Sequence, residues 1–171
     1  MSEPRVHAEP IPTDRLELLP LRVEHAEEMA VVLADPALHT FTGGTPHSPG
    51  ELRARYERLV AGSPAPGVSW CNWVLRLRAQ SRLVGTVQAT VTENEGAEIA
   101  WVVGTPWQGR GFASEAARGL VTWLGRQSVR TVVAHIHPDH LASAAVAAAA
   151  GLAPTEEEQD GETRWRLVPH L

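Results

Sequence analysis

Trp101-Val102-Val103-Gly104-Thr105-Pro106-Trp107-Gln108-Gly109-Arg110-Gly111-Phe112-Ala113-Ser114-Glu115-Ala116 is the stretch that decides the fold. It reads as an apolar strand, a short turn, a glycine-bearing loop and the first turn of a helix. A helix start leaves backbone N–H groups without partners and carries partial positive charge, which suits a phosphate. Gly109 and Gly111 let the loop curl without Cβ clashes, so successive N–H groups can converge on one anion. No Walker lysine follows, and Ser114 stands where the third glycine of G-x-G-x-x-G would fall. The loop suits a pyrophosphate but matches neither common nucleotide fingerprint. A tight strand-to-helix turn that binds nothing would use the same glycines.

The run Gln108-Gly109-Arg110-Gly111-Phe112-Ala113 resembles the Q/R-x-x-G-x-G/A signature of the GNAT superfamily of N-acetyltransferases, whose loop holds the pyrophosphate of acetyl-coenzyme A. The flanks strengthen the resemblance. An apolar strand (residues 98–103) precedes the loop, and a helix with Ala113, Ala117, Leu120 and Leu124 on one face follows it. A β-rich segment (129–136) and an alanine-rich helix ending at Gly151 come next, in the family's order. The opening Thr13-Asp14-Arg15-Leu16-Glu17-Leu18 and residues 134–155 look most like the ribosomal-protein alanine acetyltransferase branch. The resemblance spans residues 12–168 and is stronger after Leu83. It implies a single α/β (α+β) domain with a mixed, strongly twisted sheet of about six to seven strands flanked by helices. It also implies a V-shaped splay between the central strands.

Length and composition agree. A chain of 171 residues, 43% hydrophobic and 20% charged, is ordinary for one globular domain. No apolar run approaches the ~18 residues of a membrane span. Residues 1–12, polar and proline-bearing, read as a flexible leader rather than a targeting peptide, with the domain occupying 13–171. The lone Cys71 excludes an intramolecular disulfide and a cysteine metal cluster. These features predict a cytoplasmic protein with no membrane or nucleic-acid partner. A net charge of −5 permits a cationic acceptor such as an amine. The family implies a monomer or homodimer.

Along the chain, residues 15–21 read as a strand and 23–33 as a helix stopped by Pro36. Residues 40–49 form a Gly/Thr/Pro-rich loop, where the family builds its acceptor site. Ser48, Pro49 and Glu51 form a capping-box pattern that opens a second helix. Residues 73–77 and 83–92 read as a hairpin turning at Gln80-Ser81, and 153–157 and 163–168 as strands flanking Asp160-Gly161.

Acetyl transfer to an amine needs an unprotonated nitrogen, and Glu98 is the candidate general base. Strand alternation sets Glu98, Ala100 and Val102 on one face and Ile99, Trp101 and Val103 on the other. The glutamate matches the one that precedes this strand's Ile-Gly/Ala-Trp/Tyr run in the family; an edge charge or salt bridge is the alternative. By the same resemblance, the backbone of Trp101, Val102 and Val103 pairs with the pantetheine arm and polarises the thioester carbonyl, although core strand residues would look alike. Gln108, Gly109, Arg110, Gly111, Phe112, Ala113 and Ser114 would contribute mainly backbone donors to the coenzyme.

Ser143 is the candidate hydrogen-bond donor to the departing thiolate, on a helix expected to start at His140 with Asp139 as its cap. Close packing in an alanine-rich helix would equally favour serine. The tyrosine that many family members carry one turn later is replaced by Ala147. His135, His137 and His140 form H-x-H-x-x-H, open to a metal reading with Asp139. The family often has asparagine at the position of His140, so His140 is assigned to the coenzyme and His137 to a relay or acceptor role, with no metal expected. Trp70, Trp73 and Trp107 could line a groove or serve the core. Three functions follow: an N-acetyltransferase, a non-catalytic acyl-coenzyme A-binding module, or a metal-dependent enzyme using the histidines.

Overall fold

The burial of Gly96–Val103 (β5) alternates along the strand, with Ala97, Ile99 and Val103 in the core and Glu98, Ala100 and Val102 toward solvent. This is the pattern expected of a strand packed on one face only. The structure, a computed structural model, describes residues 6–93 and 96–167. The strand end expected at Val168 lies outside the described residues, as does the leader's first part, residues 1–5.

The remaining elements assemble around β5. Ile11–Pro12 (β1), Leu16–Pro20 (β2), Val68–Leu77 (β3) and Arg82–Thr92 (β4) lead up to it. Val132–Ile136 (β6), Leu152–Gln159 (β7) and Glu162–Leu167 (β8) follow. They form one mixed sheet of eight strands in the order β1-β2-β3-β4-β5-β6-β8-β7. Only β5 and β6 pair in parallel, so the crossover between them must be a helix, Phe112–Arg126 (α3). Leu120 and Leu124 of α3 are fully buried beside Ile99 and Val132. On the other face, Met29 and Ala30 of Ala26–Val32 (α1) pack with Leu52 and Tyr56 of Pro49–Ala61 (α2) in a second cluster.

The Ser48 capping box forms as its sequence dictates, the Ser48 hydroxyl accepting from Glu51 N–H and the Glu51 carboxylate from Ser48 N–H. The hairpin at Asp160-Gly161 also forms, both residues taking positive φ.

The stretch expected as a leader is docked from Val6 onward. Val6 N–H donates to Ser69 Oγ at 3.1 Å, and the buried Trp73 indole N–H donates to the Glu9 carbonyl at 2.8 Å. Ile11, 6% exposed, joins the core as part of β1. That short edge strand carries the sheet past the six to seven strands expected.

Candidate active site

β5 and β6 pair only at Ala97–Val132 and Glu98–Val133 and then separate. Beyond the splay, residues 101–103 on one strand and 134–136 on the other line a cavity of about 1080 Å³. One end of the cavity meets the glycine loop and the start of Leu141–Ala149 (α4). Elsewhere the lining includes Leu33, Leu52, Tyr56 and Leu59, with Asn72, Thr86 and Gln88 on the sheet, and Phe41 beside the start of α4.

The loop has the geometry its glycines allow. Gly109 and Gly111 take φ of +78° and +81°, and Gly111 caps α3. Glu115 N–H donates to Gly111 O at 3.0 Å, which leaves the amides of Phe112, Ala113 and Ser114, ahead of the first helical bond, for an anion. Nothing lies within 4 Å of where a Cβ on Gly109 would stand, so the space in front of the loop is open. Gln108 uses its side chain as well as its backbone: Nε2 donates to Val103 O at 2.9 Å and ties the loop to β5. Gly109, Gly111, Phe112, Ala113 and Ser114 line the cavity, whereas the Arg110 side chain is exposed outside the lining. These residues fit a pyrophosphate.

A clamp that the sequence did not reveal holds this loop. The Glu115 carboxylate, one turn into α3, accepts from Thr13 Oγ1 at 2.5 Å, Arg15 N–H at 2.8 Å and Arg15 Nε at 2.7 Å. Arg15 then donates from Nη1 to the Arg110 carbonyl at 2.8 Å and lies over the Phe112 ring, 4.4 Å from its centroid. Burial pushes the Glu115 carboxyl up, but the hydrogen bonds from Thr13 and Arg15 outweigh it and hold the group below the usual carboxylate range.

The start of α4 differs from expectation. The helix begins at Leu141, with His140 rather than Asp139 at the cap. Asp139 N–H donates to His137 Nδ1 at 3.1 Å, and His140 N–H to the His137 carbonyl at 2.9 Å, so a turn fills the place of an Asp139 cap. Ser143 therefore sits within the first turn, its Oγ 3.3 Å from His140 Nε2. His140 stacks on Phe41 at 4.4 Å, and His137 tilts against the same ring at 5.1 Å. Burial, reinforced by His137, lowers the His140 pKa and keeps its imidazole neutral at pH 7.

Among the described residues no group of three or more His, Cys, Asp or Glu could hold a metal. His135 has a different neighbour from the other two: its Nδ1 lies 3.2 Å from Glu98 Oε2. That contact is close enough for an ion pair but misaligned for a hydrogen bond, and both ring nitrogens are buried without a hydrogen-bond partner. Glu98 itself, 55% exposed, stands just outside the cavity lining, while His135 is part of it. Trp107 and the buried Trp73 both line the cavity, Trp107 with Arg82 over its ring and Trp73 edge-on to Trp123 within the core, while Trp70 is outside the lining.

A central parallel strand pair splayed over an anion-ready helix start, with further space beyond it, is suited to an enzyme that takes a phosphate-bearing coenzyme and a second substrate. Residues 15–153 match a family model described as an acetyltransferase (GNAT) domain, and the chain belongs to that family. No curated protein shows significant similarity. Solved structures do. A RimL ribosomal-protein α-N-acetyltransferase in complex with coenzyme A superposes with a TM-score of 0.77 at 20% identity, over 94% of this chain and 98% of that one. The microcin self-immunity acetyltransferase MccE, in complex with acetyl-CoA and AMP, gives 0.75 at 17% identity, over 91% and 93%. A spermidine N-acetyltransferase SpeG chimera from Vibrio cholerae gives 0.73 at 17% identity, over 91% and 99%. At such identities these structures share the fold. Membership in an acetyltransferase family sets aside the reading of a coenzyme-binding module without turnover. No helix among the described residues is long and apolar enough to cross a membrane.

Proposed function

We propose that this acetyltransferase moves acetyl from acetyl-CoA to a primary amine, a protein N-terminus or a small molecule, by direct attack in a ternary complex. The observation that carries the proposal is one continuous cavity whose lining joins the glycine loop, the splayed β5 and β6, and the α2 side chains Leu52, Tyr56 and Leu59. Acetyl-CoA, when bound, supplies a thioester whose carbonyl carbon accepts the amine. The amides at the start of α3 and the loop from Gln108 to Ser114 hold the pyrophosphate, with the Arg110 side chain facing water. The backbone of Trp101, Val102 and Val103 aligns the pantetheine arm as an added strand. His140 and Ser143 face the same end of the cavity, and Ser143 Oγ stabilises the departing thiolate. Glu98 draws the proton from the acceptor side. We assign the enzyme to the cytoplasm as a monomer or homodimer, with the catalytic domain in residues 13–171.

Thiol release from acetyl-CoA, followed against a panel of amines, tests this. Glu98→Gln is expected to lower kcat about tenfold with acetyl-CoA affinity unchanged, below the full ~10²-fold or more of a lone general base because the carboxylate stands at the cavity's rim. Ser143→Ala removes one hydrogen bond to a developing charge, worth about 1.5 kcal/mol or about tenfold in kcat. Unchanged kcat in either variant would remove that residue from the mechanism.

A further inference from the structure

Among the described residues, three buried side-chain polar atoms have no hydrogen-bond partner: Tyr56 Oη, His135 Nδ1 and His135 Nε2. Leaving such a group unpaired costs about 1–3 kcal/mol, so native chains keep few of them without a use. Both residues line the same cavity, at separate walls, Tyr56 from α2 and His135 from β6. Beside Tyr56 the lining carries apolar Leu33, Leu52 and Leu59, with the uncharged polar Asn72, Thr86 and Gln88 on the sheet and Arg55 on α2. Asp139 and Glu162 are the only acids among the described lining residues, one in the turn before α4 and one on β8, and α2 contributes none to the lining.

We infer that the acceptor is a small amine with one cationic centre, an apolar body and a hydrogen-bonding oxygen at its far end. Its amine is deprotonated by His135 and its oxygen is held by Tyr56. The inference rests on the acetyltransferase reading above and names the substrate class of that site.

The His135 half follows from register. Glu98 pairs with Val133, so His135, two residues on, shares a face with Glu98 and comes within 3.2 Å of it. Arg164 stands opposite His135 on β8 but is engaged by Glu157 at 3.3 Å, which leaves Glu98 as the carboxylate at the ring. The Glu98 carboxylate beside Nδ1 favours the tautomer that carries its proton there, which leaves the Nε2 lone pair to accept one. The acceptor enters as an ammonium and gives one proton to Nε2. Its freed lone pair forms the C–N bond as the thioester C–S bond breaks. The second proton lost by nitrogen ends on the leaving thiolate, and His135 returns its proton to solvent past the exposed Glu98.

The Tyr56 half follows from chemistry. A phenol buried without a partner in an apolar wall favours a ligand oxygen that restores its hydrogen bond. Arg55 acts electrostatically on the same phenol, and burial still pushes the hydroxyl up to about 12, so it remains a donor at neutral pH. A polyamine would bring further cations to the α2 wall, where the lining residues include Arg55 and no carboxylate.

The test compares tyramine, phenethylamine, spermidine and a neutral hydrophobic dipeptide amide as acceptors, with acetyl-CoA binding measured in parallel. The expected order in kcat/KM is tyramine, then phenethylamine, then spermidine, with at least about 100-fold between first and last. Tyr56→Phe should raise KM for tyramine about tenfold, leave phenethylamine unchanged and spare kcat. His135→Gln should lower kcat about 100-fold at unchanged KM. Should that variant fail to fold, the exposed Glu98→Gln replaces it, with a smaller loss confined to kcat. Preference for spermidine, turnover confined to the dipeptide, an unaltered tyramine advantage in Tyr56→Phe, or full kcat in His135→Gln would each overturn the inference. Acetyl-CoA binding without turnover of any of these amines would overturn it while leaving the coenzyme reading intact. Absence of acetyl-CoA binding would strike the function proposed above instead.

Discussion

Glu115→Ala lowers the stability of the domain by about 2 kcal/mol, because it removes the acceptor of hydrogen bonds from the Thr13 hydroxyl and from the backbone and side chain of Arg15. The carboxylate side chain is 10% exposed but the Arg15 side chain is 42% exposed, so water screens the ion pair and the loss comes chiefly from the hydrogen bonds. The effect depends on pH in a definite direction. The folded Glu115 pKa lies below its ordinary value of 4.5, so the carboxylate stabilises the fold fully above that value. The contribution is lost as pH falls through the depressed folded value. Urea unfolding of the two proteins should therefore differ at pH 7 and converge in acid. A constant difference down to the acid limit would show that packing, and not the charge, does the stabilising. The substitution should also weaken acetyl-CoA binding, since Arg15 holds the Arg110 carbonyl within the loop.

Gly109→Val is expected to weaken acetyl-CoA binding about 30-fold, the equivalent of ~2 kcal/mol for a β-branched residue forced to positive φ. Gly109 is exposed, at φ +78°, and a Cβ there would meet nothing within 4 Å. The cost is thus conformational rather than steric. In the free chain the loop relaxes away from the strained geometry, and binding must restore it. Calorimetric titration with acetyl-CoA reads the loss directly, and thermal unfolding without ligand should change little. Unaltered affinity would mean that the loop does not hold the coenzyme in this conformation.

What was legible in the sequence was local. The glycine loop and the Ser48 box depend on residues within one turn of each other, and each adopted the geometry its residue types dictate. Boundaries were less legible: β3 begins at Val68 and not at Trp73, and α4 starts one residue late because His137 takes up the Asp139 amide. What was not legible depended on distance along the chain. Thr13 and Arg15 meet Glu115 across about a hundred residues, a pairing that no periodicity announces. The docking of Glu9 and Ile11 was hidden because a short segment between prolines carries too little apolar signal to read as a strand.

His135 is intermediate. It stood out as part of H-x-H-x-x-H, and the metal reading drew attention from its neighbour on β5. Once the parallel register of β5 and β6 is known, Glu98 and His135 fall on one face by counting residues. Tyr56 gave no such sign, since an aromatic at helical spacing on α2 looks like core, and most of its ring is core.

The most direct test of the central claim, that the loop from Gln108 to Ser114 binds the acetyl donor, is thermal unfolding with and without acetyl-CoA, with ATP and NAD as controls. At a hundred times its dissociation constant a ligand stabilises by about 2.7 kcal/mol, or about 5–10 °C for a domain of this size. A shift of that order with acetyl-CoA alone is the result predicted. No shift at saturating acetyl-CoA, or an equal shift with ATP, would contradict it.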